Sequence, residues 1–483
     1  MAFQDLRQFI AILEERGQLH RITVEVDPHL EITEIADRVM KSDGPALLFE
    51  NVKGSSIPIA INLLGSQDRM TWALGMEDWS ELETRVESLL DLAMGGPPAS
   101  LRDKLGALSE LLRMARIGPK LVDNAPVHDI IETANPSLDE LPIPTCWPLD
   151  GGPYITMPLV FTHDPRSGKR NVGMYRLQKY DNQTLGMHWQ LHKGGADHWR
   201  RSQEHAQRME VGIAIGADPV LVYSATAPLP PDVDELVFAG FLRGKPVDMV
   251  PCKTIDVNVP ANAEIVLEGY VEPGEVRPEG PFGDHVGYYS LAEPYPVLHL
   301  TAVTHRRNPI YVSTIVGKPP MEDGWIGKAT ERLFLPLIRL FIPEIADIHL
   351  PVHGVFHNFA IVSIHKRYPG QARKVMHGVW GLGQMMFTKY VVVVDADVDV
   401  QNLSEVMWRV GAATDPSRDL EHAVGPMDAL EFATTQPNFG GKLGIDATRK
   451  LPEEGFPREW PPEITMDQNV VERVNERWDS YGL

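Results

Sequence analysis

Cysteine is scarce in this chain of 483 residues, which contains only Cys146 and Cys252. Two cysteines are too few for a disulfide scaffold or for a zinc site with four thiolate ligands. The chain also lacks an apolar run of about eighteen residues, the length that a membrane-spanning helix needs. Residues 1–7 show no basic segment leading into an apolar core, so we predict no secretory signal peptide.

Positive charge is also in short supply, with 45 Lys and Arg against 66 Asp and Glu and a net charge of −21. Nucleic-acid binding needs a basic patch, so this composition argues against a nucleic-acid partner. The chain contains neither G-x-x-x-x-G-K-[ST] nor a strand-led G-x-G-x-x-G, so the common nucleotide motifs do not explain it. What remains is a cytoplasmic enzyme or binding protein.

The length exceeds that of one ordinary hydrophobic core, so we predict an α/β multi-domain protein. Its expected boundaries are 1–118, 119–318 and 319–483. In the first region, hydrophobic periodicity predicts helices and strands in alternation. The predicted helices are 3–16, 32–39 and a connector at 100–116, and the predicted strands are 22–26, 46–50 and 57–61.

The second region consists mainly of short β-type runs separated by turn residues, a texture typical of a barrel or sandwich. The predicted strands are 154–162, 172–178, 211–215, 220–224, 263–271 and 297–303. The third region alternates again, with helices at 326–341 and 371–380 and strands at 359–365 and 390–394. Asp395, Asp397 and Asp399 follow the last strand without the Gly and Glu of an EF-hand loop, which favours capping turns over a cation site.

The densest chemistry lies in the loop 277–289, where Glu279 and Asp284 stand five residues apart among Gly and Pro. Paired carboxylates whose environments separate their pKa values can supply an acid and a base at one site. The alternative is a surface turn with two solvated acids, because Gly, Pro and Asp are ordinary turn residues.

A second dense stretch contains Asn171, Arg176 and, further on, His188 and His192. The side-chain oxygen of Asn and the ring nitrogens of His are better ligands for Mn²⁺ or Mg²⁺ than for a metal that prefers thiolates. A helix would place the two histidines on one face, although the H-E-x-x-H zinc motif is absent. Arg176 offers a planar fork for a carboxylate or phosphate. The alternatives are a structural histidine and a surface arginine.

Two further charged residues precede apolar runs. Glu235 begins a short apolar helix or strand, where capping of a helix N-terminus would be sufficient reason for it. Lys389 precedes the predicted strand 390–394 and could reach a phosphate or simply be solvated.

Together these residues resemble the UbiD family of reversible decarboxylases, and the resemblance runs over nearly the whole chain. The matching motifs are DPHLEITEIA at 27–36, GPALLFEN at 44–51, PIPTCWP at 142–148, AEIVLEGY at 263–270, EGPFGDHVGYY at 279–289 and Lys389 before its strand. The resemblance implies an N-terminal α/β domain, a central flavin-reductase-like split β-barrel and a C-terminal α/β dimerisation domain.

The resemblance also implies the cofactor prenylated FMN, supplied by a separate flavin prenyltransferase, with Mn²⁺ or Mg²⁺ and often K⁺. The implied metal ligands are Asn171, His188 and Glu235. The implied cofactor contacts are Met174, Tyr175, Arg176, His188, Trp189, Gln190, Lys193, Gly194, Thr226, Ala227, Pro228 and Lys389. The implied catalytic residues are Glu279, Arg176 and Asp284, with Asp284 as the proton donor.

The expected reaction is non-oxidative decarboxylation of an aromatic acid, with 4-hydroxy-3-polyprenylbenzoate of ubiquinone biosynthesis as the expected substrate. A small phenolic, heteroaromatic or acrylic acid is the alternative. A metal-only decarboxylase or hydrolase, and a flavin-storage protein, are rival functions. We expect a homodimer or homohexamer in the cytoplasm, peripheral to the membrane if the substrate carries a polyprenyl tail.

Overall fold

The computed structural model describes residues 3–94, 116–190, 193–229 and 233–482. Within residues 3–94, the first region contains four helices and three strands. The helices are α1 (Leu6–Glu15), α2 (Glu31–Lys41), α3 (Gln67–Ala73) and α4 (Trp79–Met94), and the strands are β1 (Leu19–Ile22), β2 (Ala46–Phe49) and β3 (Ile59–Ile61). Of the connector helix predicted for 100–116, residues 100–115 lie outside the described residues.

Helix α1 shows why this region folds as the periodicity predicts. Its buried residues Leu6, Phe9, Ile10 and Leu13 fall on one face at helical spacing. The Asp5 side chain accepts the N–H of the first turn and thereby caps the helix.

The strand predicted at 22–26 is wrong, because β1 ends at Ile22 and occupies the preceding residues. Parallel pairing with β2 selects residues 19–22. Val24 is exposed, and Val26 makes only an isolated bridge to Val52.

The strands of the central region are β4 (Lys120–Leu121), β5 (Ile130–Glu132), β6 (Tyr154–Ile155), β7 (Leu159–His163), β8 (Arg170–Met174), β9 (Leu177–Lys179), β10 (Thr184–Met187), β11 (Met209–Ile215), β12 (Asp248–Pro251), β13 (Asn258–Pro260), β14 (Ile265–Glu279), β15 (Phe282–Gly283), β16 (Tyr289–Ser290), β17 (Glu293–His305) and β18 (Tyr311–Val312). The helices of this region are α5 (Gly194–Glu204), α6 (Pro219–Ser224) and α7 (Glu235–Arg243). The region is built on a curled half-barrel sheet with the main order β6-β9-β10-β17-β14-β11-β7-β8, in which β5 also pairs with β17. Strand β18 leaves this region and pairs with β3, completing the N-terminal sheet in the order β1-β2-β3-β18.

The strand predicted at 220–224 is also wrong, because this segment is the helix α6. Every residue of α6 is buried, so the run shows no periodicity that could distinguish a helix from a buried strand. Asp218 caps its first turn and Pro219 occupies the first position, where a missing N–H costs nothing.

The strands of the third region are β19 (Ile345–His349), β20 (Phe359–Ile364), β21 (Tyr390–Asp395), β22 (Leu420–Pro426) and β23 (Phe439–Asp446). The region surrounds the five-stranded mixed sheet that these strands form in the order β19-β20-β21-β23-β22. Its helices are α8 (Glu322–Phe341), α9 (Gln371–Trp380), α10 (Leu403–Ala413) and α11 (Gln468–Glu476). The three-part α/β organisation expected from the sequence is thus confirmed, while the boundaries 1–118, 119–318 and 319–483 stay a prediction.

One hydrophobic core runs through the N-terminal and central regions, and two smaller cores pack on the C-terminal sheet. Helix α8 joins these cores. Its earlier residues Ala329 and Leu333 belong to the large core, whereas Leu335 and Ile338 belong to a core of the third region.

Candidate active site

Tyr175 and Arg176 lie at a corner of the central sheet, between two strands. The sequence predicts one strand over 172–178, but the chain forms β8 and β9 with Tyr175 and Arg176 between them. β8 pairs with β7, whereas β9 pairs with β10, so the two halves follow different neighbours. The resulting corner brings Arg176 to Glu279, the last residue of β14.

Arg176 binds both predicted acids. Its Nε and Nη2 donate to the two oxygens of Glu279 at 2.9 and 3.1 Å, and its Nη1 donates to Asp284 Oδ2. Nη2 also donates to Ser290 Oγ at 2.9 Å, and the guanidinium carbon lies 4.5 Å from the ring centroid of Phe282. Glu279 is 0% exposed and Asp284 is 7% exposed, so the alternative of two solvated acids is wrong.

Glu279, Arg176 and Asp284 each stay ionised in this buried site because of their charged neighbours. Burial raises the pKa of Glu279, but His188 and Arg176 lower it further than burial raises it, to below 4.5. Burial likewise opposes ionisation of Asp284, yet His285 and Arg176 hold the pKa of that carboxyl well below its usual range. Burial disfavours the charge on Arg176, but Glu279 and Asp284 raise its pKa overall. The group therefore contains two carboxylates and one guanidinium at neutral pH.

The loop 279–290 that carries the two acids is held from outside. Gln178 accepts one loop N–H at 2.8 Å, and Asp150 accepts another at 2.8 Å. A Cβ on Gly283 would lie 2.2 Å from Cδ1 of Trp147, so the close packing here requires glycine. These contacts fix the spacing of the two acids around Arg176.

His188 belongs to the same network. Its Nδ1 lies 2.8 Å from Glu279 Oε2, and its ring centroid lies 4.3 Å from that of Tyr295. It follows β10 in a loop and not on a helix, while His192 lies outside the described residues. Its polar contact is with Glu279 rather than with the other two candidate metal ligands.

Those two ligands, Asn171 and Glu235, lie on adjacent elements. Glu235, the first residue of α7, accepts the N–H of Val172 at 3.2 Å, directly beside Asn171 on β8. Burial raises the pKa of Glu235 to about 7, because it outweighs the opposing effects of backbone N–H groups and of Arg170, which is paired with Asp234. The start of α5 packs closely against Asn171, since a Cβ on Gly194 would lie 2.0 Å from Asn171 Oδ1. The side-chain oxygen of Asn171 and the buried carboxyl of Glu235 are ligands that fit a hard divalent cation.

The described residues contain no cluster of three His, Cys, Asp or Glu side chains with the arrangement of a metal site. Asn171 is not one of these residue types, so Asn171 and Glu235 remain two neighbouring candidate ligands. Manganese, magnesium and potassium therefore stay predictions.

The start of α5 offers an anion-binding end. Lys193 precedes the helix without capping it by its side chain, although the N–H of Gly195 in the first turn donates to Tyr175 Oη. Burial lowers the pKa of Lys193, which lies near Asp428. The indole Nε1 of Trp189 is buried without a hydrogen-bond partner among the described residues. A buried donor that lacks an acceptor, beside a lysine and a helix N-terminus, fits the phosphate and polar edge of a flavin nucleotide.

The remaining candidate cofactor contacts surround this end. The N–H of Met174 donates to the carbonyl of Ala225 at 3.3 Å, which joins the turn 225–228 to β8. Gly195 N donates to Tyr175 Oη at 3.2 Å, and Gln190 accepts the Lys193 N–H at 3.0 Å. The turn includes Thr226, Ala227 and Pro228.

Lys389 has a different partner. Its Nζ lies 2.5 Å from Glu431 Oε2, and it lies 5.8 Å from the ring centroid of Tyr390. Both contacts belong to the C-terminal region. Its predicted role at the cofactor stays a prediction.

Several contributors to the site carry no local sequence signal. Ser290, Tyr295 and Gln178 are distant in the chain, by up to 114 residues, from the groups that they contact, which are Arg176, the ring of His188 and the N–H of Gly280. His357 and Asp428 approach from the C-terminal region. His285, by contrast, stands inside a recognised motif, as the neighbour of Asp284.

Three family models match this chain, and their descriptions name domains of a 3-octaprenyl-4-hydroxybenzoate carboxy-lyase. The N-terminal domain model matches residues 10–89, the Rift-related domain model 120–319 and the C-terminal domain model 324–447. An uncharacterised protein of Archaeoglobus fulgidus is 50% identical over 481 residues, which cover 99% of this chain and 98% of that protein.

Solved structures agree with the family models. The UbiD-class enzyme HmfF of Pelotomaculum thermopropionicum, in complex with FMN, is 32% identical with a TM-score of 0.81, covering 95% of this chain and 98% of that one. An evolved dimeric form of HmfF, with prFMN, has a TM-score of 0.79 at 32% identity, covering 96% and 99% of the two chains. The vanillic acid decarboxylase of Sedimentibacter hydroxybenzoicus, in closed form, is 28% identical with a TM-score of 0.86, covering 99% of each chain.

Across the described ranges, no helix has the length and apolar character to cross a membrane.

Proposed function

We propose, since this chain belongs to the UbiD family of carboxy-lyases, that it removes CO₂ from an aromatic acid with the help of prenylated FMN and a divalent cation. The observation that carries the proposal is the buried Glu279–Arg176–Asp284 group. Storage of a flavin has no use for such a group, whereas a reaction that adds a proton to carbon does.

The cofactor would supply an electron sink for the charge that CO₂ leaves on the ring carbon. Tyr175, Trp189, Lys193 and Gly194 are the residues proposed to hold it. The protein would orient the flavin and its phosphate through the buried indole N–H and the N-terminus of α5.

Arg176 would stabilise the acid pair. All of its contacts described above are with Glu279, Asp284, Ser290 and Phe282, so its charge is already engaged. Glu279 would keep Arg176 in position, and His188 would orient Glu279 through its Nδ1. Asp284 would deliver a proton to the ring carbon from which CO₂ departs.

Asn171 and Glu235 would hold Mn²⁺ or Mg²⁺, with His188 as the third ligand through its Nε2. The proposal is supported by the raised pKa of Glu235, because a cation would restore its charge. The cation would neutralise the cofactor phosphate rather than activate water, and K⁺ is proposed beside it.

For the substrate we propose 4-hydroxy-3-polyprenylbenzoate, in ubiquinone biosynthesis, on the strength of the family descriptions. A small phenolic acid is the second candidate, and the similarity to a vanillic acid decarboxylase over 99% of the chain favours it. A flavin prenyltransferase would supply the cofactor in either case. We further propose a cytoplasmic location, with membrane association tied to the polyprenyl substrate.

The experiment is reconstitution. The chain is co-expressed with a flavin prenyltransferase, purified without oxygen with Mn²⁺, and incubated separately with a prenylated 4-hydroxybenzoate and with vanillate. We expect a bound mass of FMN plus a five-carbon unit, and CO₂ release from one of the two acids. Turnover without flavin would favour the metal-only rival, and bound flavin without turnover of any aromatic acid would favour storage.

A further inference from the structure

His285 is buried beside the acid that the proposed reaction uses. Its Nδ1 lies 2.9 Å from Asp284 Oδ1, and its backbone N–H donates to the same oxygen at 2.8 Å. Its Nε2 is buried and has no hydrogen-bond partner among the described residues. Its ring stacks on Phe356, with centroids 5.6 Å apart, and lies 5.2 Å from the ring of His357.

The proposed reaction needs a proton that Asp284 does not hold. Arg176 and His285 keep the pKa of Asp284 low, so the side chain rests as a carboxylate at neutral pH. A carboxylate cannot donate to carbon. A proton must therefore come to Asp284 from a neighbour during the reaction.

The contacts of Asp284 identify that neighbour. Arg176 keeps its protons, because the pKa of its guanidinium is raised above an already high value. Glu279 is ionised itself and bonds to Arg176 and His188. His285 is the bonded group whose imidazolium can release a proton near neutral pH.

We propose that His285 is a positioning residue that holds, as an imidazolium, the proton that Asp284 passes to the ring carbon. The inference rests on the proposed decarboxylation. The Nδ1–H bond of His285 breaks as an O–H bond forms on Asp284. That O–H bond then breaks as the ring C–H bond forms, with the electron pair left by the departing CO₂. After the product leaves, His285 regains a proton from water.

The surroundings favour the charged imidazole. Burial lowers the pKa of His285, but its carboxylate neighbours outweigh burial, and the pKa is raised overall above 6.5. The titratable groups that face it come from its own loop, the start of α8, the segment before β20 and the segment after β22. They are Asp284, Asp323, His357 and Asp428, with Lys193 facing His357 and Arg176 reaching it through Asp284.

Two of these neighbours have shifted pKa values of their own. Burial lowers the pKa of His357 to about 4, so that ring stays neutral and does not compete for the charge. Burial raises the pKa of Asp323 to about 6, so its carboxyl loses its proton as the solution approaches neutral pH.

A proton held on His285 predicts an alkaline limb in the pH profile of kcat. The imidazolium is present below the raised pKa of His285 and is lost as pH rises through it. The kcat of the holoenzyme should therefore fall with rising pH above this point.

His285→Asn is the decisive variant, because its amide can still donate a hydrogen bond to Asp284 but cannot release a proton. We expect unchanged flavin and metal content, a kcat lower by about a hundredfold, and no alkaline limb. His299→Asn is the matched control, since His299 forms a similar bond to Glu275 at 2.6 Å on β17. The control should keep both the rate and the limb.

A second measurement does not depend on turnover. NMR titration of ¹⁵N-labelled histidines in the chain, assigned by the loss of one signal in His285→Asn, should show that His285 becomes neutral only above pH 6.5. A His285 that is neutral below this pH overturns the inference, and so does a His285→Asn enzyme with the wild-type rate and limb. If the wild-type holoenzyme turns over no acid, the proposed function fails instead, and the titration still decides the state of His285.

Discussion

At the scale of single residues, burial makes each charge of the Glu279–Arg176–Asp284 group depend on its partners. Glu279 is fully buried and has hydrogen bonds from both Arg176 and His188. Removing one member of such a group leaves an uncompensated buried charge, which commonly costs about 3–5 kcal/mol. Conservative replacements that keep the shape are therefore the informative ones.

Asp284→Asn removes the carboxyl that is proposed to carry the proton and keeps the volume of the side chain. We expect kcat to fall by a factor of about 10²–10⁴, while absorbance still reports bound flavin. Asp139→Asn is the control, because Asp139 is a mostly exposed acid paired with Lys179. An Asp284→Asn enzyme with the turnover of the wild type would remove Asp284 from the catalytic group.

Glu235→Gln tests the proposed metal site, because it removes a ligand charge without changing size. We expect metal analysis and flavin absorbance to show that Mn²⁺ and cofactor are lost together, since the cation is proposed to neutralise the cofactor phosphate. Glu272→Gln, which alters a surface pair with Arg208, should retain both. Retention of metal by Glu235→Gln would exclude this residue as a ligand.

At the scale of elements, α8 connects the cores of the central and C-terminal regions through a buried ionic group. Glu331 on α8 lies 2.6 Å from Lys328 Nζ and 2.7 Å from Arg332 Nη2. It also accepts the N–H of Leu350 at 2.6 Å, just after β19. Burial raises the pKa of Glu331, but His349, Lys328 and Arg332 lower it to about 2.

Because this pKa is lower than the unfolded value of 4.5, Glu331 stabilises the fold above pH 4.5 and loses that effect as pH falls toward 2. We expect Glu331→Gln to reduce the free energy of unfolding by about 3–5 kcal/mol at pH 7. The difference from the wild type should shrink between pH 4.5 and 2 in denaturant titrations.

The control for this prediction is Glu87→Gln, because Glu87 is an exposed residue of α4 that forms a pair with Arg339 of α8 at 3.7 Å. Such a pair contributes at most about 1 kcal/mol. Equal stability of Glu331→Gln and the wild type at pH 7 would contradict the prediction.

At the scale of the whole molecule, residues 464–476, which include α11, have few contacts with the rest of the chain. Helix α11 contains no buried residue, and Ile464 and Met466 before it are 101% and 68% exposed. Exposed apolar side chains in one segment are typical of an interface between proteins. The homodimer or homohexamer predicted from the sequence would provide a second copy of this chain as the partner for this segment.

We therefore expect a homodimer, or a larger assembly of dimers, by light scattering. Replacing Ile464 and Met466 together by Ser should raise the dissociation constant of the assembly by about tenfold or more, as expected from the apolar area lost. Val24→Ser is the control, because Val24 is a similarly exposed apolar residue in the N-terminal region. A double variant that associates like the wild type would place the interface elsewhere.

Much of the organisation follows from local pattern. Helix α1 could be predicted because its apolar spacing and its Asp5 cap agree. The segments 22–26 and 220–224 could not, because neighbouring strands and full burial decided their conformation. The partner that decides the first of these segments, β2, is distant in the chain.

For the site, motifs in a specific order were enough to identify the family, the acids Glu279 and Asp284, and Arg176. Their connections required the fold: Arg176 bridges both acids, His188 bonds to Glu279, and His285 lies among groups from four segments. These contacts are absent from the local pattern because hydrogen bonding and burial depend on what long-range folding brings within a few ångströms. Charge state follows from those contacts, and so does the chemistry that a carboxylate or an imidazole can perform.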